Sequence, residues 1–239
     1  MTHDRSISGE EIRDRPSGMW PARSTLSGRD VELEPIDPQR HGSDLFALSH
    51  GGDKTRDLWT YMPYGPFADA AAFEGWLRGC AASADPIFFA VRDRQSGQAA
   101  GMASYLNVHP ENGVVEIGHI WFAPFLQGTR QSTEALFLLI RHAIDDLRYR
   151  RVEWKCDALN EASRRAALRL GFTFEGIFHQ HMIVKGRNRD TVWFSILDRE
   201  WPDIRASFEA WLSPDNFDPQ GRQRRSLSDL TSKLGSDSI

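Results

Sequence analysis

Most of the groups in this sequence that could do chemistry fall between residues 116 and 134. Glu116 sits in Val-Val-Glu-Ile, a carboxylate among apolar neighbours. Burial there would disfavour the charged form, raise the pKa and suit the group to take a proton near neutrality. The competing reading is a strand carboxylate paired with Lys or Arg across a sheet. His119 titrates near neutrality by nature. Three residues along a regular strand, however, it faces away from Glu116, and only a bulge would bring both to one site. It reads equally as a half-buried strand histidine.

Further on, Gln127-Gly128-Thr129-Arg130-Gln131-Ser132-Thr133 leads into an apolar helical pattern. Free backbone N–H groups at a helix start, with the dipole behind them, favour an anion. Arg130 would add charge, and the hydroxyls of Thr129, Ser132 and Thr133 would add donors. The same stretch also reads as an ordinary capped loop. It has no second Gly and no Lys-[Ser/Thr], so it is not a Walker A loop. It lacks G-x-G-x-x-G, so it is not a dinucleotide fingerprint. The eight His are scattered, and His179 and His181 share a strand face without Cys or acid partners. Cys80 and Cys156 lack ligand spacing, and no metal is expected. His181 and Asp190 are weaker candidates for proton transfer.

These groups need a scaffold, and the apolar periodicity supplies one. Alternation predicts strands at 31–35, 86–94, 99–108, 114–122, 151–157, 172–184 and 189–197, with turns near 95–98, 109–113 and 185–188. Helical spacing predicts helices at 39–50, 68–84, 132–147, 160–170 and 200–212. The expected fold class is α/β (α+β): one domain with a mixed, mostly antiparallel twisted sheet flanked by helices. Polar, aperiodic ends predict a flexible N-terminal arm at 1–28, a folded body at 29–212 and a flexible tail at 213–239. With 29 Lys+Arg against 33 Asp+Glu the net charge is −4, which argues against a nucleic-acid backbone binder. No apolar run approaches a membrane span. A charged N-terminus and only two cysteines fit the reducing cytoplasm.

Three segments in order resemble the GNAT N-acetyltransferases. The loop Gln127–Ala135 is similar to that superfamily's acyl-CoA pyrophosphate loop. Asn160, Ser163, Ala166 and Leu170-Gly171-Phe172 resemble its N-x-x-S-x-x-A-x-x-x-G-F block. Glu175-Gly176, Arg189-Asp190 and Trp-Phe-Ser-Ile-Leu at 193–197 resemble the subgroup of ribosomal-protein alanine N-acetyltransferases. Arg130 stands where the superfamily usually has Gly. If that position needs φ > 0, a residue with Cβ would be strained there. Ala167 stands where many relatives carry a general-acid Tyr.

The resemblance implies acetyl-CoA as co-substrate, without metal. It places Gln127, Gly128, Thr129, Arg130, Gln131, Ser132 and Thr133 on the pyrophosphate, and Ile120, Trp121 and Phe122 along the pantetheine arm. A backbone N–H near Phe122 would hold the tetrahedral oxyanion. Asn160 would bond the pantetheine amides and Ser163 would protonate the thiolate; each also reads as a plain helix-start residue. Glu116 would deprotonate the acceptor amine, with His119 the second choice. In such a fold the aromatic segment around Trp59, Tyr61 and Tyr64 would border the acceptor, although core packing is the competing reading. The expected partner is a small-molecule, polyamine or peptide amine, with neither nucleic acid nor membrane, on a monomer or homodimer. The rival, prompted by Ala167, is an acyl-CoA-binding regulatory domain without catalysis.

Overall fold

The computed structural model describes Ile12 and residues 18–232. Eight strands form one sheet: β1 Leu26–Ser27, β2 Val31–Pro35, β3 Ile87–Asp93, β4 Ala99–His109, β5 Val114–Phe122, β6 Arg151–Asp157, β7 Thr173–Val184 and β8 Arg187–Leu197. Their spatial order is β1-β2-β3-β4-β5-β6-β8-β7, antiparallel throughout except for β5 beside β6. The helices are α1 Pro38–His50, α2 Asp53–Arg56, α3 Ala70–Ala82, α4 Arg130–Arg141, α5 Glu161–Arg169, α6 Trp201–Leu212 and α7 Leu227–Thr231. This is the mixed, mostly antiparallel architecture that the periodicity predicts.

Side-chain alternation sends each strand to two cores. In β3, Phe89 and Val91 join the large cluster under α4 and α6, while Phe88 and Ala90 join the smaller one under α1 and α3. Phe73 and Leu77 of α3 close the second cluster. Each such buried Phe, Val or Leu side chain contributes roughly 1.5–3 kcal/mol. Local signals start the helices: Asp37 accepts the amides of Gln39 and Arg40 ahead of Pro38, and Thr129 caps α4 through the amide of Ser132.

The described body extends beyond 29–212 at both ends. Within the expected arm, Leu26–Ser27 pairs with β2, and the amide of Met19 donates to Leu147 O. Within the expected tail, α7 buries Leu227 to 1% exposure, and Trp211 Nε1 donates to Gln223 Oε1. The periodicity missed these pieces because they are two to five residues long, too short to show a period. The remaining parts of the expected arm and tail, 1–11, 13–17 and 233–239, lie outside the described residues.

Two features of the sheet create a cleft. β5 and β6 pair in parallel only through Val114, Val115 and Glu116 against Arg151, Val152 and Glu153; beyond those residues the strands part. On its other edge β5 carries a bulge. Met102 opposes Trp121 and Ser104 opposes Gly118, so His119 and Ile120 together face Ala103. His119 takes φ +51°, a left-handed conformation uncommon for a residue with Cβ.

Candidate active site

The cleft between the parted ends of β5 and β6 has a volume of about 2400 Å³ and is walled further by α5, β7, β8 and the segment after α2. Both Glu116 and His119 line it. The bulge is the reason, since without it one of the two would face the opposite side.

Glu116 is 5% exposed. Its Oε2 accepts from Asn107 Nδ2 at 2.6 Å and pairs with Lys155 Nζ at 2.9 Å, whereas Oε1 takes no bond among the described residues. Burial raises its pKa, and the Lys155 charge and the Asn107 amide only partly offset this. Lys155 also pairs with Glu153 at 2.9 Å and stands 3.9 Å above the Trp193 ring. Arg151 continues the chain of charges from Glu153 to Glu175. Glu116 is thus ion-paired across the sheet, as a strand carboxylate can be, while it lines the cleft and its Oε1 has no partner among the described residues.

His119 Nδ1 lies 2.8 Å from Ser104 Oγ, and its ring packs on Phe88 and Tyr64. Burial lowers its pKa to about 4, so the ring is neutral at pH 7. Ser163 Oγ accepts from Trp154 Nε1 at 3.0 Å, and its hydroxyl is also within hydrogen-bond reach of the buried Cys156 thiol. Asn160 caps α5 through Oδ1 to the Ser163 amide, and both residues line the cleft. Ala167 is fully buried in the core; Asn160, Ala162, Ser163 and Ala166 are among the α5-side residues that line the cleft.

The helix-start loop differs in part from expectation. The strained backbone position is Gly128, at φ +68°, and Arg130 is the first residue of α4 with ordinary helical geometry. The amides of Gly128, Thr129, Arg130 and Gln131 have no acceptor among the described residues, as an anion site requires. The side chains are committed elsewhere. Arg130 forks onto Asp30, with Nε to Oδ2 at 2.8 Å and Nη2 to Oδ1 at 2.9 Å. The hydroxyls of Ser132 and Thr133 donate to Thr129 O, as buried first-turn hydroxyls can. The Thr129 hydroxyl donates to Leu126 O, and Gln127 Nε2 donates to Phe122 O. Gln127, Gly128 and Ser132 line the cleft; Thr129, Arg130, Gln131 and Thr133 do not.

Ile120, Trp121 and Phe122 border the gap where β5 has lost β6, so their backbone faces an open strand position. The Trp121 ring itself turns into the core against Trp59. Trp59 does not border an acceptor: it is 1% exposed, and Nε1 donates to Ser49 O. Tyr64 buries its hydroxyl without a partner among the described residues, and burial drives its pKa upward. Of the three aromatics only Tyr61 lines the cleft, its hydroxyl donating to Leu159 O. Lys155 and Asn107 went unnoticed in the sequence, where Trp193 figured only as part of the 193–197 strand motif. A Glu-x-Lys pair on one face of β6 was the available signal, but its partner Glu116 is set by the parallel register.

A family model described as "Acetyltransferase (GNAT) domain" matches residues 31–173. The chain is 36% identical over 105 residues to the "Putative ribosomal N-acetyltransferase YdaF" of Bacillus subtilis (strain 168), covering 44% of this chain and 57% of that one. It is 36% identical over 80 residues to the ribosomal-protein-serine acetyltransferase of Escherichia coli (strain K12), covering 34% of this chain and 44% of that one. These matches thus span about half the length of the curated relatives. A crystal structure of a GCN5-related N-acetyltransferase from Brucella melitensis superposes with a TM-score of 0.87 at 47% identity, over 90% of this chain and 96% of that one.

Proposed function

The chain belongs to the GNAT acetyltransferase family, and from that premise we propose that it moves an acetyl group from acetyl-CoA to a primary amine by direct attack. In this reading the cofactor's pyrophosphate binds the unpaired amides from Gly128 to Gln131. Its pantetheine arm lies in the gap between β5 and β6, along Ile120–Phe122. The acceptor's ammonium must lose a proton before it can attack. Glu116 Oε1, directly or through one water, takes that proton. The amine nitrogen then bonds to the thioester carbon; as the oxyanion collapses and the C–S bond breaks, the nitrogen gives up its second proton, which solvent relays to reprotonate Ser163. The Ser163 hydroxyl, held by Trp154 Nε1, protonates the departing thiolate. His119 stays neutral and shapes the pocket.

The single observation that carries this reading is the buried Glu116, which lines the cleft with one oxygen unbonded among the described residues, where the gap opens one residue further along the strand. Ala167 lies in the core and Ser163 faces the cleft, so a proton donor is present without a tyrosine; the non-catalytic reading is therefore not favoured. The test is thiol release from acetyl-CoA over a panel of amines, polyamines and N-terminal peptides. Turnover with at least one class is expected. Tight acetyl-CoA binding with no thiol release on any acceptor would sink the catalytic reading.

A further inference from the structure

Arg189 is a charged group of the cleft that this reaction leaves unused. It lies on β8 opposite Met182 of β7, at the end of the cleft where β6 gives way to α5. Among the described residues its guanidinium has no ion pair and no hydrogen bond, and its Nε is sealed from solvent without an acceptor. The neighbouring carboxylates are already occupied. Glu116 and Glu153 share Lys155. Asp190 accepts from Asn188 and the Gln180 amide and pairs with His179, and Asp157 accepts the Leu159 amide. The Arg189 charge is felt by His119 on β5 and by Cys156 on β6, the two strands that flank the gap. It lines the same cleft as Glu116, His119 and Ser163. The amides that hold the cofactor's phosphates belong to a different element, the start of α4.

A partly desolvated guanidinium without a counter-ion is costly to keep, and its planar fork fits a carboxylate bidentately. We propose that Arg189 binds a carboxylate of the acceptor, so that the enzyme prefers amines that also carry a carboxylate; this assignment rests on the acetyl-transfer reading above. The pairing orients the acceptor with its amine toward Glu116. That carboxylate has two sources: the main-chain carboxylate of a free amino acid, or an acidic side chain close to a peptide's N-terminus.

Matched acceptors separate these cases. With the full-length protein and saturating acetyl-CoA, kcat/KM is compared for alanine against alaninamide, and for Ala-Asp-amide against Ala-Asn-amide. The carboxylate member of at least one pair is expected to win by about tenfold or more, and the pair that discriminates identifies the source. In Arg189→Gln that ratio should fall to near one, while Arg189→Lys should keep part of it. Acetyl-CoA affinity measured by calorimetry should be unchanged in both variants, showing that the cofactor site is intact. Equal kcat/KM within both pairs, or a preference that survives Arg189→Gln, overturns the role of Arg189 while leaving acetyl transfer standing. Absence of thiol release with every amine overturns acetyl transfer itself, and the role of Arg189 with it.

Discussion

At the scale of single residues, the cleft is a problem of charge in a low-dielectric place. Glu116 has its pKa raised from 4.5 by burial and held back by Lys155. A base must be unprotonated to work, so kcat/KM should rise with pH through the Glu116 pKa, above the usual carboxylate range. Glu116→Gln should cost roughly 100- to 10,000-fold in rate and abolish that acid limb, with acetyl-CoA affinity nearly unchanged. Lys155→Met removes the charge that lowers the Glu116 pKa, so the limb should move to higher pH, and Lys155→Arg should restore it. A limb that stays put in Lys155→Met would show that Glu116 is not the titrating base. The residue types were legible in the sequence: Glu116, His119, Asn160 and Ser163 all reach the cleft. Their partners were not, because Asn107 and Lys155 come from strands whose pairing with β5 the local pattern does not encode.

At the scale of elements, two local devices hold the site in shape. The bulge at His119 turns β5 so that Glu116 and His119 share one side. Glu134, in the first turns of α4, does something its sequence position does not announce. Its buried carboxylate accepts the amides of Arg29, Asp30 and Val31 at 2.8, 2.7 and 3.0 Å. Asp30 in turn receives the Arg130 fork. The helix start that offers free amides to an anion is thus pinned from behind by the β1–β2 turn. Gly28 makes room for this, since a Cβ there would lie 2.6 Å from Glu134 Cδ. Glu134→Ala orphans three amides and should cost about 3 kcal/mol or more. That corresponds to a fall in Tm of roughly 6–12 °C for a chain of this size, readable by thermal melting. A Tm within a degree or two of the wild type would show that this clasp contributes little. The loop's helix-start character was readable from its residue types. The destinations of its side chains were not, because Arg130 and Glu134 reach partners about one hundred positions away.

At the scale of the whole molecule, the sheet is closed where β5 and β6 pair and open where they part. Acetyl-CoA at one hundred times its Kd should stabilise the fold by about 2.7 kcal/mol. The expected rise in Tm is roughly 5–10 °C, and no shift at any concentration would argue against cofactor binding in the gap. The amino-acid sequence by itself determined the element types, their order, the family resemblance and the kinds of group available for chemistry. These follow from side-chain periodicity, caps and turns, all of which act over a few residues. Tertiary structure alone decided which of those groups are free. It gave Arg130 to Asp30, buried Trp59 in the core and brought Lys155 to Glu116, and it left Arg189 without a partner among the described residues. A charge or a ring is satisfied by whatever the fold places within a few ångströms, and the neighbours that matter here are mostly distant along the chain.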